Sequence, residues 1–244
     1  MNIHAERSGK GEKIVFIHGA GGNARSWYFQ KESLKASMEV ILIDLPGHGQ
    51  DSQGTGHNTL AGYIDYIHDV IHELGIDKCY MVGHSMGGAI TMSFALSFPD
   101  MLKGIVLITT GAKLRVFPEI LDGLKRDKEA AVKSIMDYAF SKKAPAALKE
   151  NGVKDMMKCK AEVIYGDFFA CEEFDLMDSV NKIKMPAFII CGNDDILTPP
   201  KYSEYLHKQI EGSQLVSIED AGHMATLEKP DEVNKAIREW IASR

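Results

Sequence analysis

Short runs of apolar residues rich in Ile and Val recur along the chain at 14–17, 40–43, 79–82, 105–108, 187–190 and 215–218. They are nearly continuous in apolar character and do not alternate with polar residues. That pattern belongs to parallel strands covered on both faces. Helical patterns lie between them. Leu60, Ile64, Ile67, Ile71 and Leu74 fall at helical spacing, and Gly75 follows as a stop. Residues 86–98 read as a helix ending at Pro99, and 230–242 as one that opens with Pro230 and carries Val233, Ile237 and Ile241 on one face. Strand and helix in this order predict an α/β fold with a doubly wound, mostly parallel sheet.

The rhythm breaks once, between Thr109 and Pro186. A structureless loop of that length is abnormal in a compact domain. The stretch is charged and helix-like, so it predicts a helical cap at 112–184, inserted between core segments 1–111 and 185–244. Its Met and aromatic residues belong by default to the cap's own core. Met156, Met157, Phe168 and Phe169 are nevertheless candidates for an apolar substrate pocket, together with His84.

Composition narrows the partners. At 244 residues, 45% of them hydrophobic, the chain can bury one sizeable core. The net charge of −6 comes with no basic stripe, which argues against nucleic acid and against a membrane surface. The first residues, Met1-Asn2-Ile3-His4-Ala5-Glu6-Arg7, are too polar for a signal peptide, and no apolar run is long enough to span a bilayer. Cys79, Cys159, Cys171 and Cys191 stand far apart with no C-x-x-C pair, the usage expected of reduced thiols in a cytoplasmic protein.

The sharpest motif is Gly83-His84-Ser85-Met86-Gly87, placed directly between a strand and a helix. A chain that turns at once from strand to helix strains the central residue and lifts its side chain above the sheet. Flanking glycines remove side chains that would collide there. The helix that follows aims its N-terminal N–H groups at the same place. Ser85 is therefore the candidate nucleophile. A hydroxyl needs a base and the base an orienting acid. His223, in Ala221-Gly222-His223-Met224, lies just past the last strand, where α/β sheets carry ligand loops. His4, His57 and His207 have no such context and are expected to be exposed. Asp195, in Gly192-Asn193-Asp194-Asp195, lies just past the preceding strand, with Asp194 as its rival; Thr109-Thr110-Gly111, the other strand end that could supply an acid, has none. Oxyanion donors are expected from the N–H of Met86 and from the loop His18-Gly19-Ala20-Gly21-Gly22, with Ala20 first and Gly21 second.

Taken together, these segments resemble an α/β-hydrolase of the capped, monoacyl-esterase-like kind. The matching pieces are His18-Gly19 with Trp27 downstream, Asp44-Leu45-Pro46-Gly47-His48-Gly49 with Ser52, Gly83 to Gly87, Gly192 to Pro199, and Gly222-His223. The resemblance implies an α/β-hydrolase fold and a Ser85–His223–Asp195 triad that cleaves short- to medium-chain acyl esters through an acyl-enzyme, with no metal or organic cofactor. It implies structural roles for the 44–49 segment and for His18. Members commonly begin with two short strands; here only residues 3–7 are available before the first core strand. Ser85 excludes the aspartate-nucleophile chemistries. Relatives that cleave carbon–carbon bonds of ring-fission products often carry Asn where His84 stands, which leaves that reaction an alternative, beside thioester or lactone hydrolysis and a ligand receptor without turnover.

Two further patterns point elsewhere. Gly19-Ala20-Gly21-Gly22-Asn23-Ala24 after a strand, with Asp44 ending the next, satisfies a dinucleotide-binding fingerprint, but that reading leaves Ser85, Asp195 and His223 unexplained. His68-Asp69-Val70-Ile71-His72 places two imidazoles one turn apart as in a zinc site, without a third ligand; a solvated helix face is the simpler account.

Overall fold

The computed structural model describes residues 3–244. Met1 and Asn2, part of the polar N-terminal segment read above, lie outside it. Along the chain run β1 (Ala5–Ser8), β2 (Glu12–Ile17), α1 (Tyr28–Leu34), β3 (Met38–Ile43), α2 (Leu60–Glu73), β4 (Cys79–His84), α3 (Met86–Ser97), β5 (Leu102–Ile108), α4 (Pro118–Arg126), α5 (Lys128–Ala139), α6 (Ala146–Met156), α7 (Ala161–Glu172), β6 (Ala187–Gly192), α8 (Pro200–Gln209), β7 (Gln214–Ile218), α9 (Ala225–Glu228) and α10 (Pro230–Ala242).

The strands form one sheet in the order β1-β3-β2-β4-β5-β6-β7. All neighbours are parallel except β1, which runs antiparallel to β3 at the edge. Each apolar run of the sequence is a strand, and the reason is visible in β2. Val15 and Ile17 pack with α2 and α3 on one face, while Ile14 and Phe16 pack with α1 and α10 on the other. A strand buried on both faces has no polar side to show. The order of connection reverses at β2, with β3 on one side and β4 on the other. Ligands of open α/β sheets bind at such a switch, beyond the carboxyl ends of the strands. The loop 18–22 leaves β2 there and Ser85 leaves β4.

Helices α4–α7 fill the break between β5 and β6. They share an apolar cluster of their own that includes Met136, Phe140 and Met156. The excursion is pinched at its base by the bridge Lys113–Asp175 and by Leu176 N–H donating to Ala112 C=O at 2.7 Å. Its α-helices end at Glu172, short of the 112–184 span expected from sequence. Phe174, Val180 and Ile183 already pack into the core beneath the sheet. Among the described residues no helix is long and apolar enough to cross a membrane. All four cysteines are free and buried.

Candidate active site

Ser85 alone makes the turn from β4 into α3, at φ 53 and ψ −118. A non-glycine residue there stores roughly 1–3 kcal/mol of strain and persists only where its surroundings hold it. They do so at both ends of the residue. Ser85 N–H donates to Ile108 C=O at 3.0 Å, and Ser85 C=O accepts from Gly88 N–H at 2.8 Å and from the Thr110 hydroxyl at 2.9 Å. The motif's glycines are explained by contact. A Cβ on Gly83 would collide with Gly87 C=O, and one on Gly87 with Ile17 C=O.

His223 and Asp195, from the loops after β7 and β6, meet beside this turn. His223 Nδ1 lies 2.9 Å from Asp195 Oδ2. That contact leaves Nε2 as the free ring nitrogen. Asp195 is fixed in turn: its Oδ1 accepts the N–H groups of Leu197 and Thr198, both at 2.9 Å, and its Oδ2 accepts the Thr198 hydroxyl at 2.7 Å. Burial alone would raise the Asp195 carboxyl, but the charge of His223 and the hydrogen bonds from His223 and Thr198 hold it below the ordinary carboxylate range. Asp194, the rival acid, is exposed. The backbone of His223 is braced as well. Its C=O accepts from Thr109 Oγ1 and from His84 Nε2, each at 2.9 Å. Burial and then the neighbouring His223 lower the His84 pKa to about 3, so its ring is neutral and spends its one N–H on that carbonyl. Sequence reading assigned no role to Thr109, Thr110 or Thr198. As threonines in loops they carry no pattern; only their being next to Ser85, His223 and Asp195 marks them.

On the other side of Ser85 lies the loop after β2. A Cβ on Gly19 would come within 2.9 Å of His84 Nδ1 and 3.2 Å of Ser85 Cβ, so only glycine lets the loop approach this closely. His18 is a brace. Its Nε2 accepts from Leu45 N–H at 3.1 Å, which makes Nδ1 the protonated nitrogen that donates to Gly19 C=O at 2.8 Å. Ala20 N–H and Met86 N–H donate to no acceptor among the described residues. Gly21, the second choice after Ala20 for the loop's oxyanion donor, differs: its N–H donates to Asp167 Oδ2 at 2.8 Å and is spent there.

Asp167 is fully buried on α7 and was not anticipated. His48 Nε2 lies 2.7 Å from its Oδ2, and His48 Nδ1 lies 2.9 Å from Pro46 C=O. Both ring nitrogens thus face oxygen acceptors, which calls for a doubly protonated ring. Burial opposes that charge, but the Asp167 carboxylate, helped by the Pro46 carbonyl and Asp44, outweighs it and raises the His48 pKa. The stabilisation is complete below the ordinary histidine range and is lost as pH rises through the raised value. The other titratable groups around His48 are Tyr63 on α2, His18 and Cys159. Melting temperature is therefore expected to fall as pH rises from the ordinary histidine range through the raised His48 value. His48→Asn, which breaks a buried pair at a cost of about 3 kcal/mol, should flatten that slope. An unchanged slope in the variant would refute the assignment.

Ser85, His223 and Ala20 open on one cavity of about 300 Å³, walled mainly by apolar side chains. Met156 from α6 and Phe168 from α7 line it, and so does His84. Two expected pocket residues do not. Met157 packs against the neighbouring helices, and Phe169 is exposed and stacked on Tyr165. Successive helical residues lie about 100° apart, so one of each adjacent pair faces the cavity and the other turns away. For the ester cleavage expected from the sequence, Phe168→Ala should move the preferred acyl chain longer by about two carbons, by area removed from the wall, and Phe169→Ala should leave the preference unmoved. A chain-length series of p-nitrophenyl esters reads both; equal shifts would contradict this wall.

Asp44, the acid of the apparent dinucleotide fingerprint, spends its carboxylate on Ala24 N–H at 2.7 Å and Gln50 N–H at 3.1 Å, a loop brace. His68 hydrogen-bonds Asp69 and packs on Phe98. Among the described residues no group of three potential ligands stands together for a metal. His207 is exposed as expected, whereas His4 and His57 are partly buried.

Residues 14–236 match the Alpha/beta hydrolase family. A curated relative, the (E)-2-((N-methylformamido)methylene)succinate hydrolase of Acinetobacter baylyi, is 26% identical over 98% of this chain and 93% of its own length. A solved thermophilic esterase is 34% identical with a TM-score of 0.86, covering 98% of each chain. An esterase from Exiguobacterium antarcticum superposes with a TM-score of 0.92 at 21% identity, over 98% of this chain and 95% of its own, a likeness of fold.

Proposed function

We propose that this chain, which belongs to the alpha/beta hydrolase family, is a serine hydrolase that cleaves short- to medium-chain carboxylic esters through an acyl-enzyme on Ser85. The observation that carries the reading is the buried 2.9 Å contact between His223 Nδ1 and Asp195 Oδ2, with His223 and the strained Ser85 opening on one apolar cavity. His223 takes the Ser85 proton on Nε2 as Oγ attacks the carbonyl carbon. Asp195 holds the tautomer and stabilises the imidazolium. The oxyanion rests on the N–H groups of Ala20 and Met86, each worth roughly 10²–10³ in rate. His223 returns the proton to the leaving alkoxide, and water repeats the sequence to release the acid. None of these steps calls on a metal or organic cofactor.

The apolar wall suits an acyl chain. The esterase similarity, the strongest in identity of those described above, leans the same way. Carbon–carbon hydrolysis is the weaker reading, because His84 has no N–H left to offer a substrate. The buried free thiols fit a reducing compartment, the cytoplasm. Steady multiple turnover on p-nitrophenyl butyrate, with a fluorophosphonate labelling Ser85, supports the reading. A single burst without turnover would make the chain a receptor instead, and labelling elsewhere would overturn it.

A further inference from the structure

The cavity and the triad leave one buried, charged cluster unused. Asp167, on α7 of the helical excursion, receives Gly21 N–H at 2.8 Å and His48 Nε2 at 2.7 Å on one oxygen, and the Tyr63 hydroxyl at 2.5 Å on the other. Burial and the Asp167 charge push the Tyr63 pKa upward, so its hydroxyl stays a donor. Three segments of the hydrolase core therefore converge on one carboxylate from the helices above it.

What that carboxylate touches is the backbone next to the oxyanion site. Gly19 C=O is pinned by Gly22 N–H at 3.0 Å and by His18 Nδ1 at 2.8 Å. Peptide units are planar and trans, so the Ala20 N–H on the same unit points opposite to that carbonyl. The next unit, between Ala20 and Gly21, is held by Asp167 alone among the described residues. Gly21 sits at φ +62, a conformation glycine enters and leaves freely, so nothing intrinsic to the chain fixes this plane. Turned over, the plane would present the Ala20 carbonyl oxygen to the carboxylate. The charge of Asp167 opposes that orientation, and the bond to Gly21 N–H favours the one observed.

We propose that Asp167 is a positioning residue of the oxyanion loop: from α7 it holds the Ala20–Gly21 peptide in one orientation, and so keeps in place the loop segment next to the pinned unit that carries Ala20 N–H beside Ser85. The proposal rests on the reading of Ser85 and Ala20 given above. It makes the helical excursion part of the catalytic apparatus, beyond walling the acyl pocket.

The test is kinetic, on the whole protein with p-nitrophenyl butyrate. Asp167→Ala is expected to lower kcat roughly 50-fold with KM within threefold, the signature of a disturbed oxyanion donor. Asp167→Asn keeps an acceptor oxygen for Gly21 N–H without the charge, and should lose about 5-fold in kcat, a partial rescue. Fluorophosphonate labelling of Ser85 should slow in the same order. Tyr63→Phe removes a donor from the same carboxylate but leaves the Gly21 contact. It should lower the melting temperature while keeping kcat within threefold. If the alanine variant does not fold, the comparison of Asp167→Asn with Tyr63→Phe decides. Unchanged kcat in the Asp167 variants, a loss confined to KM, or an equal kcat loss in Tyr63→Phe would each overturn the proposal and leave Asp167 a structural staple. Failure of the serine mechanism itself is separate: Ser85→Ala would then keep its activity whatever Asp167 does.

Discussion

Ser85→Ala is expected to lower kcat/KM for p-nitrophenyl butyrate by 10⁴-fold or more, with the fold intact. The magnitude follows from what the substitution leaves behind. The oxyanion donors and the binding cavity remain and sustain roughly 10³–10⁴ over water, while the covalent route is gone. Alanine accepts the same backbone position at little added strain, since Ile108, Gly88 and Thr110 hold the backbone of residue 85 and not its hydroxyl. Circular dichroism and a melting temperature within a few degrees of the parent's would show that only chemistry was lost. Activity within tenfold of the parent would remove Ser85 from the mechanism.

Asp195→Asn carries the second large effect, a fall in kcat of about 10⁴ with little change in KM. The asparagine keeps the volume and one acceptor, but its NH₂ can face His223 Nδ1 and hold the ring in the wrong tautomer. With Nδ1 as acceptor, Nε2 carries the proton and cannot take another from Ser85. Asp194→Asn, one residue earlier and exposed, should stay within threefold. The pair is diagnostic because the two residues are chemically identical and adjacent. Equal losses would mean that the loop, and not the carboxylate on His223, is what matters.

How much of this was legible beforehand varies with the range of the interactions involved. The strands were legible because burial on both faces removes polar residues from them, as the two-sided packing of 14–17 illustrates. Ser85 was legible because its requirement is local: a strand, a one-residue turn, a helix and two glycines within five positions. His223 and Asp195 were legible as strand-end residues. Asp195 was preferred to its rival Asp194 on sequence, but both sit in one loop and only its folding decides which carboxylate is buried against the imidazole. The pairs Met156/Met157 and Phe168/Phe169 carry the same ambiguity on helices, where composition gives the residue type and rotation about the axis gives its direction.

The sequence by itself thus determined the parallel sheet and the strained serine, because each depends on neighbours in the chain. Tertiary structure alone decided how the helical excursion is fastened to that chemistry. Asp167 meets His48 across 119 residues, Tyr63 across 104 and Gly21 across 146. None of the four stands in a local pattern that requires the others. A buried carboxylate is tolerated only where donors converge on it, and that convergence comes into being when α7 settles over the loop beside Ser85.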